Sequence, residues 1–178
     1  LGAEFETQAG VKLSIIKAGD AGEMLNKIIL TRAQPIADLV FGLDNTLLAK
    51  AHAAKVFDPY TGAAQQRASV VSMAHGVVAV DYGFVALNYD QAAFAKSGLP
   101  LPKTLDDLTL PAYRDLLAVQ NPATSSLGHA FLLATVEGLG EAAAFEWWAK
   151  MRTNGVKVTK GWSEAYYTEF SKNGGTRP

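Results

Sequence analysis

The sequence of 178 residues is long enough for one ordinary domain or two small lobes. Its composition, 49% hydrophobic and 19% charged, is normal for a soluble globular protein and excludes a wholly disordered chain. A formal net charge of −1 provides no basic field for nucleic acid, and the absence of cysteine excludes disulfides and thiol chemistry.

The first half of the sequence alternates between strand-like and helical patterns. Residues 11–17 alternate apolar with polar side chains and predict a strand. A helix is predicted around 24–29, with Asp20 at its N-cap. A short apolar strand at 37–42 and a helix after Asn45 follow. This succession favours a parallel sheet with helical crossovers, which is an α/β fold.

The rest of the sequence continues the mixture after a polar loop at 61–69. Strands are predicted at 77–80, 84–89, 116–119 and 156–158. The predicted helices contain, in chain order, Leu105 and Leu108, Tyr113, Leu127 to Val136, Trp147 and Trp148, and residues 163–170. The whole pattern predicts two α/β lobes, residues 1–88 and 89–178, with the chain crossing between them near 88–90. Clefts between lobes are where such proteins usually hold small ligands.

The sequence contains no recognisable catalytic or metal-binding motif. His52, His75 and His129 lie far apart and lack the spacing of metal ligands. The string around Gly161 lacks the second glycine of a hydrolase elbow, and Ser163 is instead placed as a helix N-cap. We therefore expect no metal site, no cofactor and no enzyme activity.

Two polar turns precede predicted helices and are candidate ligand contacts. The turn Thr124-Ser125-Ser126 offers hydroxyls and free backbone N–H groups, which favour an anion or a polar oxygen. Asp20 follows the first predicted strand, where a carboxylate can bind a cationic ligand. Helix capping is an equal alternative for the serine turn and the stronger alternative for Asp20.

Aromatic residues, together with Asp81, provide the other candidate contacts. Asp81 and Tyr82 lie beside the expected crossing between lobes, where packing at a hinge is the alternative. Trp147 and Trp148 fall inside a helix, so core packing is predicted for both. Trp162 follows Lys160-Gly161 in a turn, where an indole can stack on a flat ligand.

The same turns lie within segments that resemble thiamine-binding proteins of bacterial ABC transporters. The matching segments are 37–45, 81–90, 121–128 and 161–166. The strings G-L-D-N and G-W-S-E-A-Y are distinctive in combination, and the order and spacing of the segments fit the family across essentially the whole chain.

This resemblance implies a type II periplasmic-binding fold, in which two α/β lobes with parallel or mixed sheets flanked by helices enclose a cleft. It implies capture of thiamine, and also of its phosphates, in the periplasm or at the cell surface for delivery to an ABC permease. Residues of the family at the positions of Asp20, Ser125 and Trp162 face the ligand. The implied set extends to Thr124, Ser126, Asp81 and Tyr82.

The resembling family has an additional N-terminal strand and a C-terminal third that this sequence lacks. The residues from Leu1 onward have neither a basic nor a long apolar region, so we expect that any export signal has been removed or was never present. If the protein ends at Pro178, the cleft is half lined, and the alternatives are weak binding, dimerisation through exposed strand edges, or a chain made or clipped as a fragment. The alternatives are a carrier of iron or a polyamine on the same fold, for which Tyr166-Tyr167 leaves room, and an α/β enzyme domain.

Overall fold

The computed structural model describes residues 2–64, 73 and 76–178, and helices predominate among them. The α-helices of this part of the chain are α1 (Gly2–Ala9), α2 (Ala21–Leu30), α3 (Leu48–Ala53), α4 (Gln91–Ser97), α5 (Ser126–Leu139), α6 (Glu141–Thr153) and α7 (Trp162–Glu164). Short 3-10 helices cover Asp106–Thr109, Pro111–Tyr113 and Ser171–Asn173, and a π-helical turn over Ala165–Glu169 continues α7.

Two short strands, β1 (Ala118–Gln120) and β2 (Lys157–Thr159), form a parallel pair. Ala118 lies opposite Lys157, and Gln120 lies opposite Thr159. The connection between them carries α5 and α6, as a parallel crossover requires. The predictions of strands at 116–119 and 156–158 are confirmed, with bounds shifted by one or two residues.

The main hydrophobic core lies beside this strand pair. Trp147 and Met151 of α6 are buried against Leu108, and Phe131 of α5 contacts Trp147 edge-on at 6.3 Å between ring centroids. The indole N–H of Trp147 donates to the carbonyl of Leu105 at 2.7 Å, so the large ring is buried without an unpaired polar group. The predicted core role of Trp147 is confirmed, and Trp148 packs against the same cluster.

Four predicted strands, at 11–17, 37–42, 77–80 and 84–89, are absent from the structure. Their apolar side chains are largely exposed: Ile15 is 84% exposed, Leu39 89% and Phe84 91%. An alternating pattern gives only the local preference for a strand, whereas a strand forms by hydrogen bonding to a neighbouring one. Among the described residues these segments have no such neighbour, so the predictions are wrong here.

Among the α-helices of the described residues, α1 and α4 were not predicted. The sequence of α1 contains Phe5 as its one large apolar side chain, so it has no apolar stripe from which a helix could be predicted, and none of its residues is buried. In α4 the N-cap is Asp90, whose carboxylate accepts the backbone N–H groups of Ala92 at 3.0 Å and Ala93 at 3.2 Å. The predicted crossing at 88–90 lies directly before this helix and stays a prediction.

Asp90 also connects α4 to the end of the chain. The hydroxyl of Ser171 donates to its carboxylate at 2.7 Å, across 81 positions of sequence. This hydrogen bond, supported by the N–H groups at the start of α4, lowers the pKa of Asp90 below its ordinary value of 3.8. The carboxylate therefore favours the folded chain in its ionised form.

Most of the predicted loop at 61–69 lies outside the described residues, as does His75. In the part of the chain that the structure covers, no helix combines the length and apolar character needed to cross a membrane.

Candidate functional site

Three segments that are distant in sequence meet beyond the carboxyl ends of β1 and β2. They are residues 20–22 at the start of α2, residues 121–125 after β1, and residues 160–162 after β2, together called the junction below. The N–H of Gly22 donates to the carbonyl of Thr124 at 2.9 Å, and the N–H of Asn121 donates to the carbonyl of Thr159 at 2.8 Å. In α/β proteins this edge of a parallel sheet is where ligands usually bind.

Asp20 links the first of these segments to the third. It occupies the predicted N-cap position of α2, but its side chain makes no capping hydrogen bond. Instead, its Oδ2 accepts the backbone N–H of Trp162 at 3.0 Å. Asp20 therefore has the backbone conformation of an N-cap residue, but its carboxylate does not cap the helix and is directed to the Trp162 turn.

Thr124 links the second segment to both others. Its hydroxyl donates to the carbonyl of Lys160 at 2.6 Å, while its own carbonyl accepts the N–H of Gly22. Because the hydroxyl proton is already used, Thr124 can offer a ligand only lone pairs. In this structure it holds the junction together.

Two glycines allow the segments to approach so closely. A Cβ at Gly22 would lie 2.7 Å from the carbonyl oxygen of Ala123, and a Cβ at Gly161 would lie 2.3 Å from Oδ2 of Asp20. Both separations are shorter than a carbon–oxygen contact allows. A larger residue at Gly22 would push two backbone segments apart, whereas one at Gly161 would displace the carboxylate of Asp20.

Ser125 is the last residue of the second junction segment and is only 2% exposed. It is the N-cap of α5 without a capping side-chain bond, because its hydroxyl donates to Oε1 of Gln120 at the end of β1. Ser126 is the first residue of α5 and is half-buried. The alternative of side-chain capping thus fails for Ser125, whose hydroxyl is turned toward the strand.

Trp162 begins α7 and is 41% exposed. Its indole stacks on the ring of Tyr166, with centroids 4.7 Å apart and planes inclined by 13°, and Tyr167 contacts it edge-on at 5.5 Å. The helix begins at Trp162 with Gly161 as N-cap, so the prediction of Ser163 as the N-cap is wrong. Glu164 fixes the turn by accepting the N–H of Lys160 at 2.8 Å.

Asp81 and Tyr82 are exposed and lie apart from this arrangement. The ring of Tyr82, 69% exposed, contacts Phe84 edge-on at 6.4 Å between centroids. Within the described residues, no hydrogen bond or ring contact connects Asp81 or Tyr82 to the junction. Their predicted ligand contacts stay predictions.

Two residues outside the predicted thiamine contacts also shape the site, Gln120 and Tyr166, the latter considered from the sequence only for an iron carrier. Gln120 carries no signal, because only the tertiary structure brings its amide to Ser125. Tyr166 could have been found, since its spacing of four from Trp162 is the spacing at which helical side chains meet. No group of three His, Asp or Glu side chains suitable for a metal ion is found in the ranges that the structure describes.

The fold and sequence are similar to those of known binding proteins. The chain is 32% identical over 164 residues to the "Thiamine-binding periplasmic protein" of Salmonella typhimurium. The aligned region covers 91% of this chain and 48% of the relative. A solved "Periplasmic thiamin binding protein" superposes with a TM-score of 0.75 at 30% identity, covering 93% of this chain and 51% of the other. The periplasmic binding protein AfuA from Actinobacillus pleuropneumoniae, with fructose-6-phosphate bound, gives the same TM-score at 22% identity, covering 90% of this chain and 52% of the other.

These likenesses confirm the predicted α/β fold of the type II periplasmic-binding class. The chain spans about half the length of the relatives it matches. The family model described as "Bacterial extracellular solute-binding protein" matches residues 34–176, which include two of the three junction segments. The chain therefore belongs to the bacterial extracellular solute-binding protein family.

Proposed function

We propose that this chain forms part of a solute-binding protein that captures thiamine, or a thiamine phosphate, for import by an ABC transporter. The observation that carries the proposal is the hydrogen bond between Asp20 and the Trp162 turn, which brings a carboxylate and an exposed indole to one place. The relatives named for thiamine binding support the same ligand.

The chemistry of thiamine suits these two groups. The thiazolium ring carries a permanent positive charge and is flat, so it can stack on the indole of Trp162 and gain cation–π attraction. Asp20 uses Oδ2 for Trp162, and its other oxygen makes no hydrogen bond to any described residue. That oxygen can accept from the exocyclic amine of the pyrimidine, or offset the charge of the thiazolium.

The remaining proposed contacts divide into two groups. Thr124 and Ser125 belong to the junction, and Ser126 follows them as the first residue of α5. Hydroxyl oxygens and backbone N–H groups at the start of α5 can bind the hydroxyl or phosphate end of the ligand. Asp81 and Tyr82 would contribute from the first lobe, residues 1–88, when the two lobes close around the ligand.

The partners and the location follow from the same proposal. The protein would deliver its ligand to a membrane permease from the periplasm or the cell surface, and it would act by binding and not by catalysis. It would require no cofactor. A net charge of −1 gives no reason to expect nucleic acid as a partner.

Isothermal titration calorimetry of the purified protein with thiamine, thiamine monophosphate and thiamine diphosphate tests the proposal. We expect saturable binding of at least one of them, and loss of about tenfold or more in affinity on Trp162→Ala, since removal of a desolvated cation–π contact costs roughly 2 kcal/mol. Phe145→Ala is the matched control, because Phe145 is a 60% exposed aromatic residue on α6 outside the junction.

Titration with ferric iron and with spermidine distinguishes the alternative carriers. Binding of either ligand without binding of thiamine, and unaffected by Trp162→Ala, would replace thiamine as the proposed solute.

A further inference from the structure

Tyr166 has a defined geometric relationship to the indole of Trp162. The two rings are stacked with nearly parallel planes, whereas Tyr167 is perpendicular to both. These three rings are called the aromatic wall below.

The separations between centroids show which face of the indole is covered. Tyr166 lies 4.7 Å from Trp162, Tyr167 lies 5.5 Å from Trp162, and the two tyrosines are 5.2 Å apart. Two rings on opposite faces of an indole would be separated by nearly the sum of their distances from it. Tyr167 is therefore on the Tyr166 side or beside the stack, and neither tyrosine covers the opposite face.

The backbone under the aromatic wall is fixed at several points. In the π-helical turn, the N–H of Phe170 donates to the carbonyl of Ala165 at 3.1 Å. The amide of Asn173 donates to the carbonyl of Tyr166 at 2.9 Å, and the ring of Phe170 lies 5.8 Å from that of Tyr166. At the other end, Asp20 holds the N–H of Trp162. Single-turn π-helices are frequent at functional sites.

From this geometry we propose that Tyr166 is a positioning residue, which holds one face of the Trp162 indole so that the opposite face receives the flat cationic ring of the ligand. The inference rests on the proposed function for the identity of the ligand. Tyr166 itself does not contact the ligand. It restricts the indole to one orientation before binding, which reduces the conformational entropy lost when the complex forms.

Calorimetry of thiamine binding to the purified protein tests this role with two substitutions at one site. Tyr166→Leu removes the stacked ring and should weaken binding by about threefold to tenfold, the range of an aromatic pair. Tyr166→Phe keeps the ring and should bind within about twofold of the original protein. Tyr167→Leu is the matched control and should have a smaller effect than Tyr166→Leu, because Tyr167 does not stack on the indole.

A spectroscopic measurement on the ligand-free protein tests the positioning independently. The near-UV circular dichroism of Trp162, obtained as the difference from Trp162→Phe, should fall in Tyr166→Leu and recover in Tyr166→Phe. Far-UV spectra of the variants should coincide, which separates loss of indole order from loss of folding.

The outcomes separate this inference from the proposed function. If the original protein binds no thiamine, the proposed function fails, and the dichroism of the ligand-free variants then decides whether Tyr166 orders the indole. If thiamine binds equally well to the original protein and to Tyr166→Leu, or if the Trp162 signal is unchanged in Tyr166→Leu, the positioning role of Tyr166 is overturned.

Discussion

The carboxylate of Asp20 accepts the backbone N–H of Trp162 at 3.0 Å, although 142 positions separate the two residues. The acid and the indole that the sequence offers as separate ligand contacts are therefore one structural unit. In the proposed function, a change at Asp20 would act on the ligand directly and also through the position of the Trp162 turn.

Substitution of Asp20 separates these two effects. Asp20→Ala removes both the charge and the acceptor, and we expect thiamine affinity to fall by about tenfold or more, as for a hydrogen bond to a charged group. Asp20→Asn keeps an acceptor for the Trp162 N–H, so its loss should be smaller. Equal losses in the two variants, measured by calorimetry, would show that the charge matters and the anchoring of the turn does not.

Gly161→Ala should reproduce the part of the Asp20→Ala effect that comes from the lost hydrogen bond to Trp162, without changing any polar group. Gly161 has extended backbone with φ of −175°, which any residue can adopt, so the effect of the added methyl group is purely its contact with Oδ2 of Asp20. The carboxylate must move away, and its hydrogen bond to Trp162 is then lost. The double variant Asp20→Ala with Gly161→Ala should bind no more weakly than Asp20→Ala alone, because both changes remove the same contact.

Gly138→Ala provides the control for Gly161→Ala. Gly138 lies within α5, and a Cβ there meets no atom within 4 Å. Alanine should raise the free energy of unfolding by about 0.5–1 kcal/mol through helix propensity, and thiamine affinity should not change. A similar loss of affinity in both glycine variants would contradict the steric explanation for Gly161.

Thr124→Val should destabilise the junction. The substitution preserves shape but leaves the carbonyl of Lys160 without the donor that now lies 2.6 Å away. We expect the free energy of unfolding, measured in urea, to fall by about 1 kcal/mol. Thr124→Ser keeps the hydroxyl donor, so most of the stability should be retained in that variant. Thr109→Val is the control, because the hydroxyl of Thr109 donates only to the carbonyl of Asp106 in the same exposed 3-10 helix. Its free energy of unfolding should decrease less than that of Thr124→Val. An unchanged midpoint in Thr124→Val would contradict the linking role of this hydroxyl.

The contact between Ser171 and Asp90 predicts a dependence of stability on pH. The hydroxyl of Ser171 is the main cause of the lowered pKa of Asp90 in the folded chain. A lowered carboxylate pKa stabilises the folded chain above the pKa of the unfolded chain, and this contribution disappears as the pH falls through the folded value. Ser171→Ala should therefore be less stable than the original protein near neutral pH, with the difference shrinking below about pH 4.

Urea denaturation of both proteins between pH 3 and pH 7 measures that difference. Lys172→Ala, a change at the neighbouring residue that removes only a minor electrostatic influence on Asp90, is the control. A difference between Ser171→Ala and the original protein that stays constant over this range would show that Ser171 acts independently of the ionisation of Asp90.

The helices of the second half could be predicted from the sequence because their signals are local. The apolar residues that define α5 and α6 recur at helical spacing, and the turn that precedes α5 supplies its start. The short strands β1 and β2 were also predictable, since branched apolar residues between turns favour strands. The family resemblance placed Asp20 and Trp162 among the ligand contacts, but it gave no information about their distance from each other.

The strand predictions of the first half failed for a physical reason. Residues 37–42 have the composition of a buried strand, yet Leu39 and Phe41 are exposed, because no described segment pairs with them. Strand propensity is a property of one segment, whereas a sheet requires at least two.

The sequence by itself determined the class of fold, the helices around the core and the kinds of side chain that a ligand could meet. Only the tertiary structure decided that Asp20 turns toward Trp162, that Thr124 uses its hydroxyl on Lys160, and that Ser125 is buried against Gln120. The reason is that helix periodicity and capping act within a few residues, while these hydrogen bonds join atoms whose distance depends on how β1, β2 and α2 are arranged together.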